Sequence, residues 1–506
     1  MACPAGALAQ AVACLAGALA QAGVSCCYAG SISKLRSAAA GEWVSAPSTM
    51  PIVSPYFKEV IDIVPVATPA QADQALAAAV QGAKAMARLT GYERMQILQR
   101  TANLVAANVE DLARTISLEE GKPLSESRTE ASRIPDLLRL CAFEGTQIRG
   151  ETLPLDSHEG AQGKLGMTLR VPCGVIVAIT PFNYPLLLVA HKIGPALAAG
   201  NAVILKPANT TPLTALKFTK LFLEAGLPAN GLQCITGSGS QLGPQLCADE
   251  RVRKITFTGS TGVGVKITRV AGVKKLSLEL GSNAPLVILP DADLDAVADA
   301  TVAGGFANAG QVCISAQRIL VDRAVYADFL DALKTRVERI SVGDPMADGV
   351  KLSAMISEGE AMRVSDWIKE AVHDGARVVI GGQRDGAVYA PTIVADVQPQ
   401  MKISCEELFG PAVAVTPVKD IAEAIAQTNN SRYGLSAGIF TRDVTNAMRF
   451  AREAESGNVH INWTPQWRAD FMPYGGFKGS GIGKEGPRYA IEEMTELKTV
   501  VIHGLG

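Results

Sequence analysis

VIVAITPFNYPLLLVAHKIGPALAAGNAVILK (175–206) decides the architecture. An apolar run, VIVAIT (175–180), leads into a helical stretch after Pro185, and a second apolar run, AVILK (202–206), follows. The runs are continuous and do not alternate. Both faces of each strand must therefore be covered, as in a parallel sheet wound with helices. Working outward, LTALKFTKLFLEAG (213–226) reads as a helix with Gly226 as its C-cap. LQCI (232–235) and KITF (254–257) read as strands, and TGST leads from the latter into the helix VGVKITRVAG (263–272). Upstream, 70–149 reads as helices, with Met95, Leu98, Ala102, Val105 and Val109 on one face. From 285 the alternation resumes: PLVIL, a helix from Asp293, RILV (318–321), a helix through 326–340 and VVI (378–380). The expected class is α/β with two doubly wound layers. LKTVVIH (497–503) looks like an isolated strand in need of a partner edge, which points to pairing with another subunit.

Length and composition fit that class. The chain has 506 residues, room for about three domains. Its 48% hydrophobic and 19% charged content excludes a disordered or fibrous protein. A net charge of −2 gives no global reason to bind nucleic acid or an acidic membrane. Ten cysteines form no CxxC pair and five histidines no metal-binding cluster, so no metal site is expected. A disulfide framework is not expected at this size, which favours a reducing, cytoplasmic compartment. Residues 1–37, rich in Ala, Gly, Ser and Cys, read as a disordered or peripheral extension. Its run AVACLAGALA (11–20) resembles a signal-peptide core, but no Lys or Arg precedes Lys34. An organelle-targeting role and a misplaced start both stay open. The folded part is expected to begin near AGEWV (40–44).

Several segments carry chemistry. GSGSQLG (237–243) and GSTGVG (259–264) are Gly-rich turns after strands. The second would aim free helix N–H groups over Ser260 and Thr261, which suits a pyrophosphate; a plain capped turn is the alternative. No GxxxxGK[ST] loop is present, so NTP hydrolysis is disfavoured. Asp291, Asp293 and Asp295 resemble a calcium loop, but Ala296 and Val302 stand where Gly and Glu are needed. They read as helix N-terminal acids. Cys313, in FANAGQVCISAQR (306–318), has the small and polar neighbours of an accessible thiol. Glu279, in LSLELG, is a carboxylate in an apolar stretch: either a salt-bridged strand residue or a base raised toward neutral pH by burial. His191 and His460 read as satisfied structural residues. Cys405, beside two acids, reads as unreactive.

Taken together the motifs resemble the aldehyde dehydrogenase superfamily. PFNYPL (181–186), VILKPA (203–208), FTGST (257–261), LELGSNAP (278–285), GQVC (310–313), EELFGP (406–411), GNVHIN (457–462) and PYGGFKGSGIGKEG (473–486) occur in family order. The resemblance implies Cys313 as nucleophile, attacking an aldehyde to give a thiohemiacetal. The oxyanion would be held by the Asn183 amide and the Cys313 backbone N–H. Hydride loss to nicotinamide would leave a thioester, and Glu279 would activate the water that hydrolyses it. Thr180, Pro181, Phe182, Lys206, Asn209, Gly243, Phe257, Ser260, Leu280, Glu407 and Phe409 fall at cofactor-binding positions. Asn209 departs from the Glu common in NAD-preferring members; losing that repulsion of a 2′-phosphate implies that NADP is accepted besides NAD.

Arg133, Tyr184 and Arg468 look like the positions by which relatives hold anionic aldehydes, including succinate-semialdehyde, lactaldehyde and non-phosphorylating glyceraldehyde-3-phosphate dehydrogenases. Two guanidinia and a phenol would clamp the anion, with Trp467 lining the tunnel or simply packing. Val312 stands where phosphate-specific relatives often carry Arg, which favours a smaller or singly charged group. The implied fold has a dinucleotide-binding domain (38–150 and 173–278), a catalytic domain (279–487) and a small β element (151–172 and 488–506) that builds a homodimer or homotetramer. Two rivals are a cysteine-dependent thioester or ester hydrolase or acyltransferase, and a non-catalytic dinucleotide-binding protein.

Overall fold

The computed structural model describes residues 37–39 and 42–505, so the expected extension lies almost wholly outside the described residues. Among these, an eight-stranded, a seven-stranded and a three-stranded sheet organise the chain, beside two short two-stranded pairs. The first runs in the order Glu42–Val44, Ser37–Ala39, Leu232–Cys234, Ala202–Lys206, Val175–Ile179, Val252–Thr258, Lys275–Glu279 and Gly481–Ile482. Its five central strands are parallel and its outer pairings antiparallel. Strand Ala202–Lys206 is buried throughout, and Val175–Ile179 is buried except at its last residue, which is why their sequences do not alternate. The chain winds outward from Val175–Ile179 and returns to its other side at Val252–Thr258. A switch point therefore lies between these neighbours, and ligands bind at the carboxyl ends of strands there.

Helices cover both faces. Pro69–Arg88 begins with a capping box in which Thr68 and Gln71 satisfy each other's backbone N–H groups. It packs with Leu242 and Ile267 over one face. Gly91–Ala107, Val109–Glu120, Leu124–Gly145, Leu187–Ala198 and Leu213–Glu224 cover the other. The periodic face Met95–Val105 packs inward as expected, but Val109 opens the next helix after a break at Asn108. Gly226 takes φ +86°, the left-handed cap expected of it.

The second sheet has the order Arg377–Ile380, Thr392–Ala395, Ala412–Val418, Arg318–Asp322, Pro285–Ile288, Ser436–Phe440 and Asn458–Ile461, parallel except at its first pair. Of the acidic run, Asp293 caps the helix Leu294–Phe306 and Asp295 lies in its first turn. Asp291 instead accepts from Thr441 and from the backbone N–H groups of Arg442 and Asp443. It holds the entry to a different helix, Val444–Glu453, which its sequence neighbours do not show.

The C-terminal strand joins the segment expected to form the small β element with it. Thr495–Ile502 pairs along its whole length with Leu165–Pro172 of its own chain, and Thr152–Leu153 completes the small sheet. Its partner is therefore intramolecular, while its outer edge stays unpaired.

Packing is very close where helix Pro69–Arg88 crosses the turn before strand Leu232–Cys234: a Cβ on Gly82 would lie 1.8 Å from the Asn230 carbonyl oxygen. Gly82→Ala should cost about 1–3 kcal/mol and lower the thermal unfolding midpoint. An unchanged midpoint in differential scanning fluorimetry would contradict this packing.

Candidate active site

At the switch point a cavity of about 850 Å³ opens over the first sheet and reaches the second. Its floor comes from the ends of strands: Ile179 with Thr180–Asn183, Thr258 with Ser260, and Glu279 with Leu280. Lys206, Gly243 and Phe257 line the end nearest the Gly-rich turns, and Glu407, Phe409, Gln311 and Cys313 approach from the second sheet. Of the fourteen residues assigned from the sequence to catalysis or cofactor contact, thirteen line this cleft. The exception is Asn209, which lines an adjoining groove and accepts a hydrogen bond from Lys206 Nζ at 2.6 Å.

The polar groups of the cleft are unusually open. Thr180 Oγ1, Thr258 Oγ1, Asn183 Oδ1 and Glu279 Oε2 are buried without hydrogen-bond partners. Buried polar atoms are costly to leave unpaired, so four of them facing one cavity mark a place built for a polar ligand. Helix Thr261–Val270 begins at this cleft behind Ser260, whose side chain does not cap it. A Cβ on Gly243 or Gly262 would meet nothing within 4 Å, which leaves room for a bulky group. A Cβ on Gly281 would lie 2.5 Å from Glu407 Oε2, so glycine there lets the carboxylate in. Glu407 Oε1 is further fixed by the Ser282 N–H at 2.9 Å. A dinucleotide fits these features.

Around the sulfur the geometry is specific. Asn183 donates from Nδ2 to the Gln311 carbonyl at 2.8 Å, which leaves its second amide hydrogen free. The Cys313 sulfur lies 3.3 Å from the Tyr474 hydroxyl. Cys313 and Tyr184 border an apolar cluster of Val312, Ile314, Leu435 and Tyr474. Burial pushes the Cys313 thiol up to about 12. Glu279 ends its strand almost wholly buried; that burial, then the charge of Glu485, holds its carboxyl well above the usual range. The reading of Glu279 as a buried, raised carboxyl matches this environment. Burial also raises Glu407, to about 7, and lowers Lys206, to about 8.

A polar knot carries the loop below. Buried Lys122 donates to the Asn183 carbonyl at 2.6 Å and to Glu130 at 2.7 Å, and stands 3.1 Å from Glu120. Asn308 donates to Glu120 at 2.6 Å and to the same Asn183 carbonyl at 3.0 Å. Glu126 accepts from the Asn308 N–H. These bonds hold Asn308 and Ala309 at φ +49° and +51°, a left-handed pair that costs on the order of 1–2 kcal/mol per non-glycine residue.

The residues assigned to substrate fare differently. Arg468 is buried near the sulfur: Nη1 bonds Glu485 at 2.7 Å, Nη2 meets His191 Nδ1 at 3.1 Å, and its guanidinium lies 4.1 Å from the Tyr474 ring centre. Its Nε has no partner. Arg133, about a third exposed, bonds Asp470 at 2.6 Å. Asp470 in turn meets His191 Nε2 at 3.2 Å. Both guanidinia therefore have carboxylate partners. Tyr184 turns its ring face to Lys122, 3.9 Å from the ring centre. Trp467 stands half-exposed, edge-on to His460 and outside the cluster around Cys313. His191 is satisfied as expected, and burial, then Arg468, lowers it to about 4. His460 is not: its Nε2 is buried without a partner. Cys405 is exposed, its thiol raised by partial burial and then by Glu406.

Sequence reasoning missed several residues of the site. Glu360, Arg363 and Trp367 line the cleft from helix Glu358–His373, which has no motif of its own. Tyr474 was legible in principle, because it sits inside PYGGFKGSG.

The aldehyde dehydrogenase family pattern matches residues 43–500. A 3-sulfolactaldehyde dehydrogenase of Priestia aryabhattai is 45% identical over 92% of this chain and 97% of its own length. Aldehyde dehydrogenase 21 of Physcomitrella patens, solved with the reaction product succinate, superposes with TM-score 0.90 and 36% identity over 93% of this chain and 98% of that one. An NADP-dependent glyceraldehyde-3-phosphate dehydrogenase of Bacillus halodurans C-125, solved with NADP, gives TM-score 0.91 and 34% identity over 93% and 99%. The chain belongs to the aldehyde dehydrogenase family, the NAD(P)-dependent oxidoreductases of aldehydes.

If the free amide hydrogen of Asn183 meets developing oxyanion charge, Asn183→Ala should lower kcat about 10²–10³-fold and leave the dissociation constant of the cofactor unchanged. Stopped-flow and equilibrium fluorescence separate the two; a drop confined to cofactor binding would contradict the role.

Proposed function

We propose that this enzyme oxidises a short aldehyde bearing a single negative charge to its carboxylic acid, with NADP accepted at least as readily as NAD. Cys313 adds to the aldehyde carbon, and Asn183 and the Cys313 N–H receive the oxyanion of the thiohemiacetal. Bound NAD(P) supplies the hydride acceptor. The adduct becomes a thioester, and Glu279 takes a proton from the water that attacks it, releasing the acid and the thiol. The presence of Glu279 favours hydrolysis over acyl transfer to coenzyme A.

The observation that carries the substrate class is the orphaned Arg468 Nε–H beside Tyr474 and the sulfur. The surrounding charges support one anion, not two. Arg133, Arg468 and Lys192 face the carboxylates Asp470 and Glu485, while His191 is kept neutral. One positive charge is left over. Val312 packs into the apolar cluster and adds no cation. A sulfonate or carboxylate meets that balance; a phosphate dianion exceeds it. Sulfolactaldehyde, the substrate named for the Priestia relative, comes first, and succinate semialdehyde second. For the cofactor, neutral Asn209 on Lys206 leaves an ammonium free of any carboxylate at the adenosine end.

The unpaired outer edge of Thr495–Ile502, with exposed Leu497 and Val501, supports assembly into a homodimer or homotetramer through the small sheet. The division into dinucleotide-binding, catalytic and bridging parts follows the three sheets, except that Gly481–Ile482 returns to the first. The six described cysteines are free thiols, which agrees with a cytoplasmic setting. Among the described residues no helix is long and apolar enough to cross a membrane.

Absorbance at 340 nm with a panel of aldehydes tests the reading. Arg468→Ala should reduce kcat/KM for sulfolactaldehyde or succinate semialdehyde about 10–100-fold, the worth of one charge-assisted hydrogen bond, and reduce it much less for propionaldehyde. Equal losses on charged and neutral aldehydes would remove the anion site. With NADP and NAD compared, a hundredfold or greater preference for NAD would sink the cofactor reading. Because burial brings Lys206 to about 8, its ammonium is present below that pH and lost above it. The dissociation constant of NADP should therefore rise from pH 7 to 9 while that of NAD stays nearly flat, as titration calorimetry would show.

A further inference from the structure

The nucleophile reading leaves a difficulty. Cys313 is half-buried among apolar side chains, and its thiol is pushed up to about 12, where little thiolate exists at neutral pH. The carboxyls of Glu407 and Glu279 add to the difficulty, since negative charge disfavours a thiolate. Among the described residues, the side-chain hydrogen bond recorded at the sulfur is the one with Tyr474, at 3.3 Å.

That phenol is held firmly. Its ring packs among Val312, Ile314 and Leu435 and carries the Arg468 guanidinium 4.1 Å from its centre. Arg468 is itself fixed by Glu485 and His191. The hydroxyl is no base: burial, then Cys313 and Glu279, holds it protonated well beyond its ordinary range. Toward a thiolate it can only donate. A cation over the ring draws electron density from it and strengthens the O–H as a donor.

We propose that Tyr474 is the hydrogen-bond donor that stabilises and aims the Cys313 thiolate. The proposal rests on Cys313 being the nucleophile. The thiol proton leaves for the Glu279 carboxylate, which passes it to solvent before it takes the proton of the hydrolytic water, and the sulfur electron pair is held by the Tyr474 O–H, which keeps its own proton. When the sulfur adds to the aldehyde carbon, the charge moves to the carbonyl oxygen and this hydrogen bond is released.

The test is the pH dependence of inactivation of the full-length enzyme by iodoacetamide, with the alkylated peptide identified by mass spectrometry. Tyr474→Phe keeps the ring and removes the donor. The midpoint should rise by about one pH unit, so thiolate at neutral pH falls about tenfold. The inactivation rate there should fall only about threefold, because a more basic thiolate is intrinsically more nucleophilic. Tyr474→3-fluorotyrosine, a stronger donor on the same ring, should move the midpoint down. Opposite shifts from two near-isosteric changes do not arise from a packing defect. Midpoints that stay put, or move together, overturn the proposal while leaving Cys313 as nucleophile. If alkylation of Cys313 leaves turnover intact, the nucleophile reading itself fails.

Discussion

The site depends on one buried ammonium. Lys122 stands where the crossover after strand Val175–Ile179 meets the loop that carries the sulfur, and it bonds the Asn183 carbonyl directly. Its partners are acidic: Glu120 and Glu130, and its charge also acts on Glu126. Burial would strip its proton, but Glu120 and Glu130 raise it well above the usual lysine range. Burial in turn raises Glu120 to about 8 and Glu126 to about 7. Such a cluster is poor ballast for stability, since removing one partner leaves an uncompensated buried charge at a cost of about 3–5 kcal/mol. What it provides is position. Glu130 also accepts from the N–H groups of Leu186 and Leu187, so the peptide around Asn183 is held from both sides.

The strain in the nucleophile loop follows from the same knot. Asn308 and Ala309 take left-handed backbone angles, which Asn tolerates and Ala does not, and the carboxyl groups of Glu120 and Glu126 hold Asn308 there. The helical segment EEGKPLSESRTE (119–130) supplies the anions, strand Val175–Ile179 leads to the amide, and the second sheet brings the sulfur. A second knot, from Arg133 through Asp470, His191 and Arg468 to Glu485 and Lys192, does the same on the substrate side. Burial alone would raise Glu485, but Lys192 and then Arg468 hold it well below the carboxylate range. Glu279, near the same cations but without a bond on Oε2, goes the other way. Two neighbouring carboxyls pushed apart in this way divide the work: one stays a fixed charge, the other can exchange a proton.

The local chain was highly legible. Continuous apolar runs gave the parallel strands, and Gly226 closes a helix where it was read to. Cleft residues contributed by strand ends and tight turns were likewise legible, because those turns carry their own motifs. The residues missed come from places where the local pattern is ordinary. Glu360 and Arg363 sit on an amphipathic helix whose sequence describes only its own burial. Asp291 shares a run with two helix acids yet serves another helix.

Sequence by itself determined the order of elements, the family motifs and the residue types offered to the chemistry. Only the tertiary structure decided the company each charge keeps. That Arg133 is taken by Asp470, that Arg468 keeps one N–H free over Tyr474, and that Thr495–Ile502 finds its partner in its own chain are all facts of long sequence separation. Backbone propensity and hydrophobic period act between near neighbours, whereas ion pairs and proton affinities depend on which distant groups share a dry interior.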